Sequence, residues 1–414
     1  MSERIGLSVL SMFLFAFYIS CSNPVSVKKV PISVTIRYYA NSVDVGSTTQ
    51  LSGVVLYSDS TKDSNVTWSS SNTTLAEISS TGIVHGIAKG KFTITAKSAV
   101  NPAISASFNM SVEIPVSWVP KAPMINSRDA VSLCVLNGKI YAIGGSSALG
   151  AIGKIEEYDT ATDTWKEKSV NIGLHRTVAA VTVGSKIYIL TDSSSSIMML
   201  TAYDPATDSL YPKSAISSGI FWFGMGTANG KIYVIGGASG SSNFSNTSYS
   251  SGEITATSSA SFISNSTFEY DTSDDTWREK APIPVARSHI AIASMNGKIF
   301  AIGGHDANLI YSRVDVFDPA LNTWSEVSPL PSWRWGSTAI TLNGCIFVIG
   351  GVNSGTYVSN SIFEYDPVGD SWSTRTPLSV VRLNLGACPL NTAMFIGGGW
   401  NAQGYLSSTL KGAL

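Results

Sequence analysis

Five arginines, Arg128, Arg176, Arg287, Arg334 and Arg382, each stand at the head of an apolar run. Their recurrence sets guanidinium groups at one height of whatever the chain builds. A ring of them could grip a carboxylate through paired hydrogen bonds; alternatively, each arginine serves its own run by bonding loop carbonyls. A second set is aromatic. Trp222, Trp333, Trp335 and Trp400 could form a platform for sugar rings, or pack beneath loops. His305, in a His-Asp pair, lies in a similar segment. Metal and acid–base chemistry are poorly served: after residue 116 the only histidines are His175, His289 and His305, without ligand spacing. No Ser-His-Asp order, phosphate loop or paired carboxylate motif is present. The expectation is therefore a binding site without catalytic residue, metal or cofactor, drawn from Trp333, Arg334, Trp335, His305, Trp400, Arg287, Arg382 and Trp222.

What positions these residues is a repeat. From Arg278 to Trp324 the chain runs through an Arg, an apolar strand, Asn296-Gly297, a second strand ending Ile-Gly-Gly, a loop, and Phe317 with Trp324 seven residues later. The second glycine recurs at Gly145, Gly237, Gly304, Gly351 and Gly398, with a degenerate copy centred on Thr191. Tyr158 and Trp165, Tyr270 and Trp277, and Tyr365 and Trp372 keep the same spacing; the weak copy has Tyr203 and Leu210. Six copies follow, each reading as four short antiparallel strands. The Asn-Gly pairs suit two-residue hairpins that need positive φ twice, and the Gly-Gly pairs let backbones approach closely. This segment resembles a kelch β-propeller, which implies a six-bladed ring and leaves function open.

The sixth copy ends after its third strand. Trp118 precedes Pro123 and Arg128 with the spacing of Trp277, Pro282 and Arg287, so the stretch 117–124 is expected to supply the missing fourth strand. Short turns fall on one face of such a ring and variable loops on the other, where function usually resides. The inserted stretch 238–262, rich in Ser, Asn, Thr and Gly, reads as a mobile flap or an inert excursion.

Ahead of the ring, residues 31–115 alternate without repeating, as in a sandwich of short strands. Ser42-Val-Asp-Val-Gly46, Val66-Thr-Trp-Ser-Ser-Ser-Asn72 and Ser80 to Gly90 resemble the bacterial Ig-like family of group 2, which implies a spacer or adhesive module with Trp68 in its core. The predicted fold is thus all-β: an Ig-like β-sandwich, then a six-bladed kelch β-propeller over 116–414.

Residues 1–21 carry Arg4, an apolar run and Ser20-Cys21. That run is too short for a convincing span. It resembles a bacterial lipoprotein signal, with Cys21 as the lipidated residue and 22–30 as linker; an ordinary secretory signal is the alternative. A formal net charge of −1, from 27 basic and 28 acidic residues, gives no nucleic-acid footprint. Cys134 and Cys388 occupy equivalent positions in copies one and six, so a bridge or two buried thiols are both open.

The expected molecule is a monomeric lipoprotein of the bacterial cell envelope, at the outer membrane or cell surface, touching membrane only through lipid. Its propeller binds a glycan or protein. Some secreted propellers resembling this one are copper oxidases, but no cysteine lies in the variable loops to serve that chemistry. The rival is an exported sugar-processing propeller resembling sialic-acid mutarotase, whose anionic substrate would suit convergent arginines.

Overall fold

The computed structural model describes residues 29–38, 41–175, 178–192, 197–239, 249–250, 253–254, 262–353 and 357–413. Cys21, Arg176 and most of the 238–262 insertion lie outside them. Among the described residues no helix is long and apolar enough to cross a membrane.

Six four-stranded antiparallel sheets form the ring. Blade four shows how the repeat builds one. Ala291–Met295 and Lys298–Ile302 pair across Asn296 (φ 52°) and Gly297 (φ 73°), the left-handed pair a tight hairpin needs. Val314–Asp318 and Thr323–Val327 complete the meander. The seven-residue spacing has a mechanical reason. It sets Phe317 directly opposite Trp324 and Tyr365 opposite Trp372 in neighbouring strands. Trp324 Nε1 then donates to Ala281 O at 2.8 Å and Trp372 Nε1 to Ser328 O at 2.8 Å, each reaching the preceding blade. The intervening turn carries a second clamp: Asp370 accepts from Tyr365 Oη at 2.7 Å and from Ser328 N at 2.9 Å.

Blade six takes Gly386–Leu390, Ala393–Gly397 and Thr409–Ala413 from the end of the chain, and Ser117–Lys121 as its outer strand. Ser117 faces Ala413 and Lys121 faces Thr409. The strand stops at Lys121, short of 124. The register of this copy also differs by one from the count of glycines. Gly398 and Gly399, not Gly397 and Gly398, take the positive φ of the other pairs, and Gly399 N bonds Arg128 O.

The first strands of the blades surround a central channel of about 540 Å³. Hydroxyls tie their inner edges together: Thr182 Oγ1 donates to Val135 O at 3.0 Å and Thr341 Oγ1 to Ser294 O at 2.8 Å. Cys134 and Cys388 are free. Cys134 packs with Tyr141, Val178 and Tyr203 toward blade two, whereas Cys388 packs with Leu133, Tyr158 and Phe395 toward blade one. Rotationally equivalent side chains face the same way round a ring. They therefore never meet across one interface, and the bridge considered from sequence is not formed.

The N-terminal sandwich pairs Ser42–Asp44, Ser105–Glu113, Gly90–Ser98 and Val66–Ser70 in one sheet and Pro31–Arg37, Ser52–Tyr57 and Lys62–Asp63 in another. Val43, Leu51, Ile94 and Val112 are buried between its layers. Trp68 is partly buried at the margin, packed against that cluster rather than enclosed by it. The sandwich is docked on blade five. Arg375, 3% exposed, pairs with Glu113 and lies 3.2 Å from Glu364, and its Nη2 donates to Ile114 O at 2.8 Å. Thr376 Oγ1 donates to Asp44 at 2.8 Å and accepts from Val116 N at 2.9 Å.

Candidate functional site

The Gly-Gly pairs come first, because they decide where the arginines go. Gly350 (φ 66°) and Gly351 (φ 85°) turn the chain out of the second strand, and a Cβ at Gly350 would lie 2.6 Å from Arg382 O. The turn leaves the Gly350 carbonyl without a strand partner, and Arg334 Nη1 donates to it at 2.9 Å. Arg128 does the same to Gly144 O at 2.9 Å and Arg382 to Gly398 O at 2.8 Å. In blade four Arg287 reaches Ala301 O at 3.1 Å and Asp315 at 2.6 Å. All four are at most 1% exposed. The arginine carbonyls complete the staple: Arg334 O accepts from Gly304 N, Arg382 O from Gly351 N and Arg128 O from Gly399 N, each at 2.8 Å across a blade boundary.

This corrects the expectation of a ligand-facing arginine ring. Arg287, Arg334 and Arg382 are interior braces. Burial lowers the Arg334 and Arg382 guanidinium groups to about 10, which still leaves them charged at neutral pH. Arg128 pairs instead with buried Glu156, which also accepts from Ile125 N at 2.8 Å and from Asn126 Nδ2 at 2.8 Å.

Two positions after Arg128, Arg287, Arg334 and Arg382, and after Ile220 in blade three, the chain reaches the rim of the channel. Ala130, Trp222, His289, Gly336 and Asn384 all take left-handed φ there, between 48° and 60°. Their peptides form a chain of hydrogen bonds round the mouth. His289 N donates to Trp222 O at 2.8 Å, Gly336 N to His289 O at 3.3 Å, Asn384 N to Gly336 O at 2.9 Å and Ala130 N to Asn384 O at 2.8 Å. The backbone is common to these five copies, while the side chains differ in each. The mouth is thus a fixed frame carrying a variable set of groups.

One arc of the rim is aromatic. Trp222 and His289 stack with centroids 4.5 Å apart, His289 and His305 stack at 4.9 Å, and Trp335 meets both histidines edge-on at 5.2 Å. His305 Nε2 lies 3.0 Å from His289 Nδ1, and His305 Nδ1 lies 2.9 Å from Asp306 O. Burial pushes both imidazoles below their ordinary values, most strongly His289, with His305 adding to the effect. For two neutral rings the chain of bonds sets the tautomers: Nδ1–H of His305 donates to Asp306 O, and Nδ1–H of His289 donates to His305 Nε2. The nearby loop is held by Asp306, which accepts from Asn308 N and Leu309 N at 2.7 Å.

The structure brings Trp222, His305 and Trp335 together, with His289 as the member that sequence reasoning missed. Trp335 and Trp400 are each 7% exposed, so they floor the loops and form no open platform; His305 is buried as well. Trp222 and Trp333 remain partly exposed. His175 stands apart, its ring bonding Asp192 O and Ile172 O. Among the described residues no three His, Cys, Asp or Glu side chains cluster to hold a metal ion. Beyond the rim, Ile125, Leu149, Leu174, Leu309 and Tyr357 are exposed on the loops of this face, against Leu321 and Val368 on the opposite turns.

Comparison with known proteins agrees with this architecture. Residues 32–106 match the bacterial Ig-like domain (group 2), and residues 127–169, 286–331 and 336–379 match the kelch motif. Kelch repeat and BTB domain-containing protein 2 of Homo sapiens is 31% identical over 173 residues, 41% of this chain and 26% of that protein. Kelch-like protein terF of Aspergillus terreus is 25% identical over 208 residues, 45% of this chain and 41% of that protein. The chain thus spans about a quarter to two-fifths of the length of these relatives. The solved structure of YjhT superposes with a TM-score of 0.58 at 17% identity, covering 71% of this chain and 97% of that one, a likeness of fold.

Proposed function

We propose that the chain is a ligand-binding or adhesion module of the bacterial cell envelope, its ligand seated on the variable-loop face over the channel mouth. The observation that carries this reading is the distribution of side chains on the ring. One face holds the Trp222–His289–His305–Trp335 arc, partly exposed Trp333 and five exposed large apolar side chains. The opposite face repeats near-identical hairpins. Large apolar and aromatic groups at the centre of an interface are the usual anchors of binding, often above about 2 kcal/mol each. The sugar-processing alternative drew on convergent arginines. Arg128, Arg287, Arg334 and Arg382 are buried, and no other observation favours it.

The test is a glycan and protein array probed with the chain from residue 22 onward. For any ligand found, Trp222→Ala and Trp333→Ala are expected to weaken binding at least about tenfold, while changes at Asn296-Gly297 and Asn343-Gly344 leave it intact. The reverse pattern would place the site on the other face.

In the same reading the module is held to the membrane by lipid on Cys21, with the Ig-like domain between. Several acyl chains on one cysteine hold stably where a single chain is marginal. Metabolic labelling with a fatty-acid analogue is expected to mark the wild type and not Cys21→Ala. Equal labelling of both would remove the anchor from the proposal.

A further inference from the structure

The chain carries the Asn-x-Ser/Thr pattern at Asn65, Asn72, Asn109, Asn243, Asn246 and Asn265. In an exported protein that pattern lets an asparagine accept a glycan on its side-chain nitrogen. The enzyme that transfers the glycan grips the hydroxyl two residues on, so both side chains have to be accessible and free of other partners. Asn243 and Asn246 lie outside the described residues. The structure separates the other four.

Asn109 lies in the strand Ser105–Glu113, inside its sheet; its Oδ1 accepts from Thr93 Oγ1 at 2.9 Å, and the Ser111 hydroxyl is buried. Asn265 is followed by Thr267, which is 0% exposed. Asn72 is exposed, but its Oδ1 accepts from Thr74 N at 3.0 Å and from Thr74 Oγ1 at 2.7 Å, so acceptor and hydroxyl are bonded to each other. At Asn65 neither obstacle exists. Asn65 and Thr67 are both exposed, and neither the carboxamide nor the hydroxyl has a hydrogen-bond partner among the described residues.

The chain crosses the rim of the sandwich at this point. Lys62–Asp63 is the outer strand of one sheet, paired only with Val55 and Leu56, and Val66–Ser70 is the outer strand of the other. Ser64 and Asn65 join them in a turn that Asn65 N closes onto Asp63 Oδ1 at 3.0 Å. A segment held from one side by so short a ladder can be drawn outward into an enzyme's groove without opening the core. A carboxylate, Asp63, also stands two residues before Asn65, where the other five asparagines have Ser70, Ser107, Ser241, Phe244 and Ile263. An acid at that place gives a bacterial oligosaccharyltransferase a charge to pair with a cation of its own. Accessibility and charge are independent criteria, and they select the same asparagine.

We propose that Asn65 is the acceptor of an N-linked glycan, transferred from a polyprenyl-diphosphate-linked oligosaccharide. In the transfer Nδ2 forms a bond to C1 of the first sugar. The C1–O bond to the diphosphate breaks, its electron pair leaves with the lipid diphosphate, and one Nδ2 proton passes to a carboxylate of the enzyme. Nothing is oxidised or reduced. The sandwich meets blade five through Ser42–Asp44 and Glu113, and Ser42–Asp44 is the opposite edge of the sheet from Val66–Ser70, so a glycan on Asn65 leaves the docking undisturbed. It stands beside the outer edge of Val66–Ser70, where its bulk hinders pairing with another chain. This inference rests on the envelope reading above, because the lipid-linked donor is met outside the cytoplasm.

The test is glycopeptide mass spectrometry in two arms. One uses the chain purified from its own cells. The other uses the chain from residue 22 onward, folded and incubated with a purified oligosaccharyltransferase of the acid-requiring kind and a synthetic polyprenyl-diphosphate oligosaccharide. In both, the peptide holding Asn65 is expected to carry the added mass, and those holding Asn72, Asn109 and Asn265 are not. Asn65→Gln, Asp63→Asn and Thr67→Val are each expected to lose the glycan, while Asn72→Gln keeps it. Asp63→Asn retains an oxygen that can accept from Asn65 N, so its effect reads the charge and not the turn; cooperative melts of the variants show that the sandwich is folded. An unmodified Asn65 in either arm, a glycan on Asn72 in its place, or modification that survives Asp63→Asn would each overturn the proposal. Fractionation of the same cells separates the two readings: a bare Asn65 in envelope protein overturns this inference and not the envelope assignment, and a chain confined to the cytoplasm overturns both.

Discussion

Arg128→Ala is expected to destabilise the propeller by about 3–5 kcal/mol, the range seen when one partner of a buried ion pair is removed. Arg128 and Glu156 are both 0% exposed. The substitution leaves the carboxylate with its backbone and Asn126 donors and no counter-charge, and leaves Gly144 O without the guanidinium. The loss is read from urea melts. Arg334→Ala is the control. Its partners are Gly350 O, Ser361 and Ser332, all uncharged, so a smaller loss, about 1–3 kcal/mol, is expected. Equal losses in the two variants would show that Glu156 plays no part.

The second large effect is expected from deleting residues 116–121. Ser117–Lys121 is the only strand beside Thr409–Ala413 on its outer side, and Trp118 lies over Gly412 so closely that a Cβ there would come within 2.6 Å of the ring. Removing the strand unlaces blade six, the one sheet that draws on both ends of the propeller, and bares an edge able to pair with other chains. A loss of about 5 kcal/mol in a ring of this size would lower the melting temperature by about 10–20 °C, with association visible in light scattering. An unchanged melt would mean that the strand is ornamental.

Much of this architecture was legible because the repeat writes it several times. The seven-residue spacing of Tyr or Phe and Trp is the register of two adjacent strands, and Trp118 stood out because it had lost its own first three strands. The direction of the arginines was not legible. A sequence shows that Arg334 opens a strand, but not that the Gly350 carbonyl, bared by a left-handed turn, waits inside the blade to receive it. His289 and Asn384 escaped notice for the opposite reason. They occupy a position at which the copies share no residue type, so no pattern drew attention to them, although aligning the copies on their arginines sets them in one column, two residues on. The strand Ser105–Glu113 alternates polar and apolar residues throughout, Ser-Ala-Ser-Phe-Asn-Met-Ser-Val-Glu, so it was legible by its period although poor in Val and Ile. In copy six the run of three glycines hid a shift of one residue that only the pairing with Arg128 resolves.

The docking of the Ig-like sandwich on blade five also bears on tension. A ligand held at the loop face and a chain held ahead of residue 29 would pull the molecule from opposite ends. By the covalent route the load would enter the propeller at Val116 and fall on the strand Ser117–Lys121, the single outermost strand that closes the ring. The pairs of Arg375 with Glu113 and of Thr376 with Asp44 offer a parallel route, from sandwich to blade five, that bypasses it. Blade five has all four of its strands from one continuous stretch, so it can bear shear without unlacing. The strand that completes the ring is thereby relieved of the pull that would otherwise peel it away.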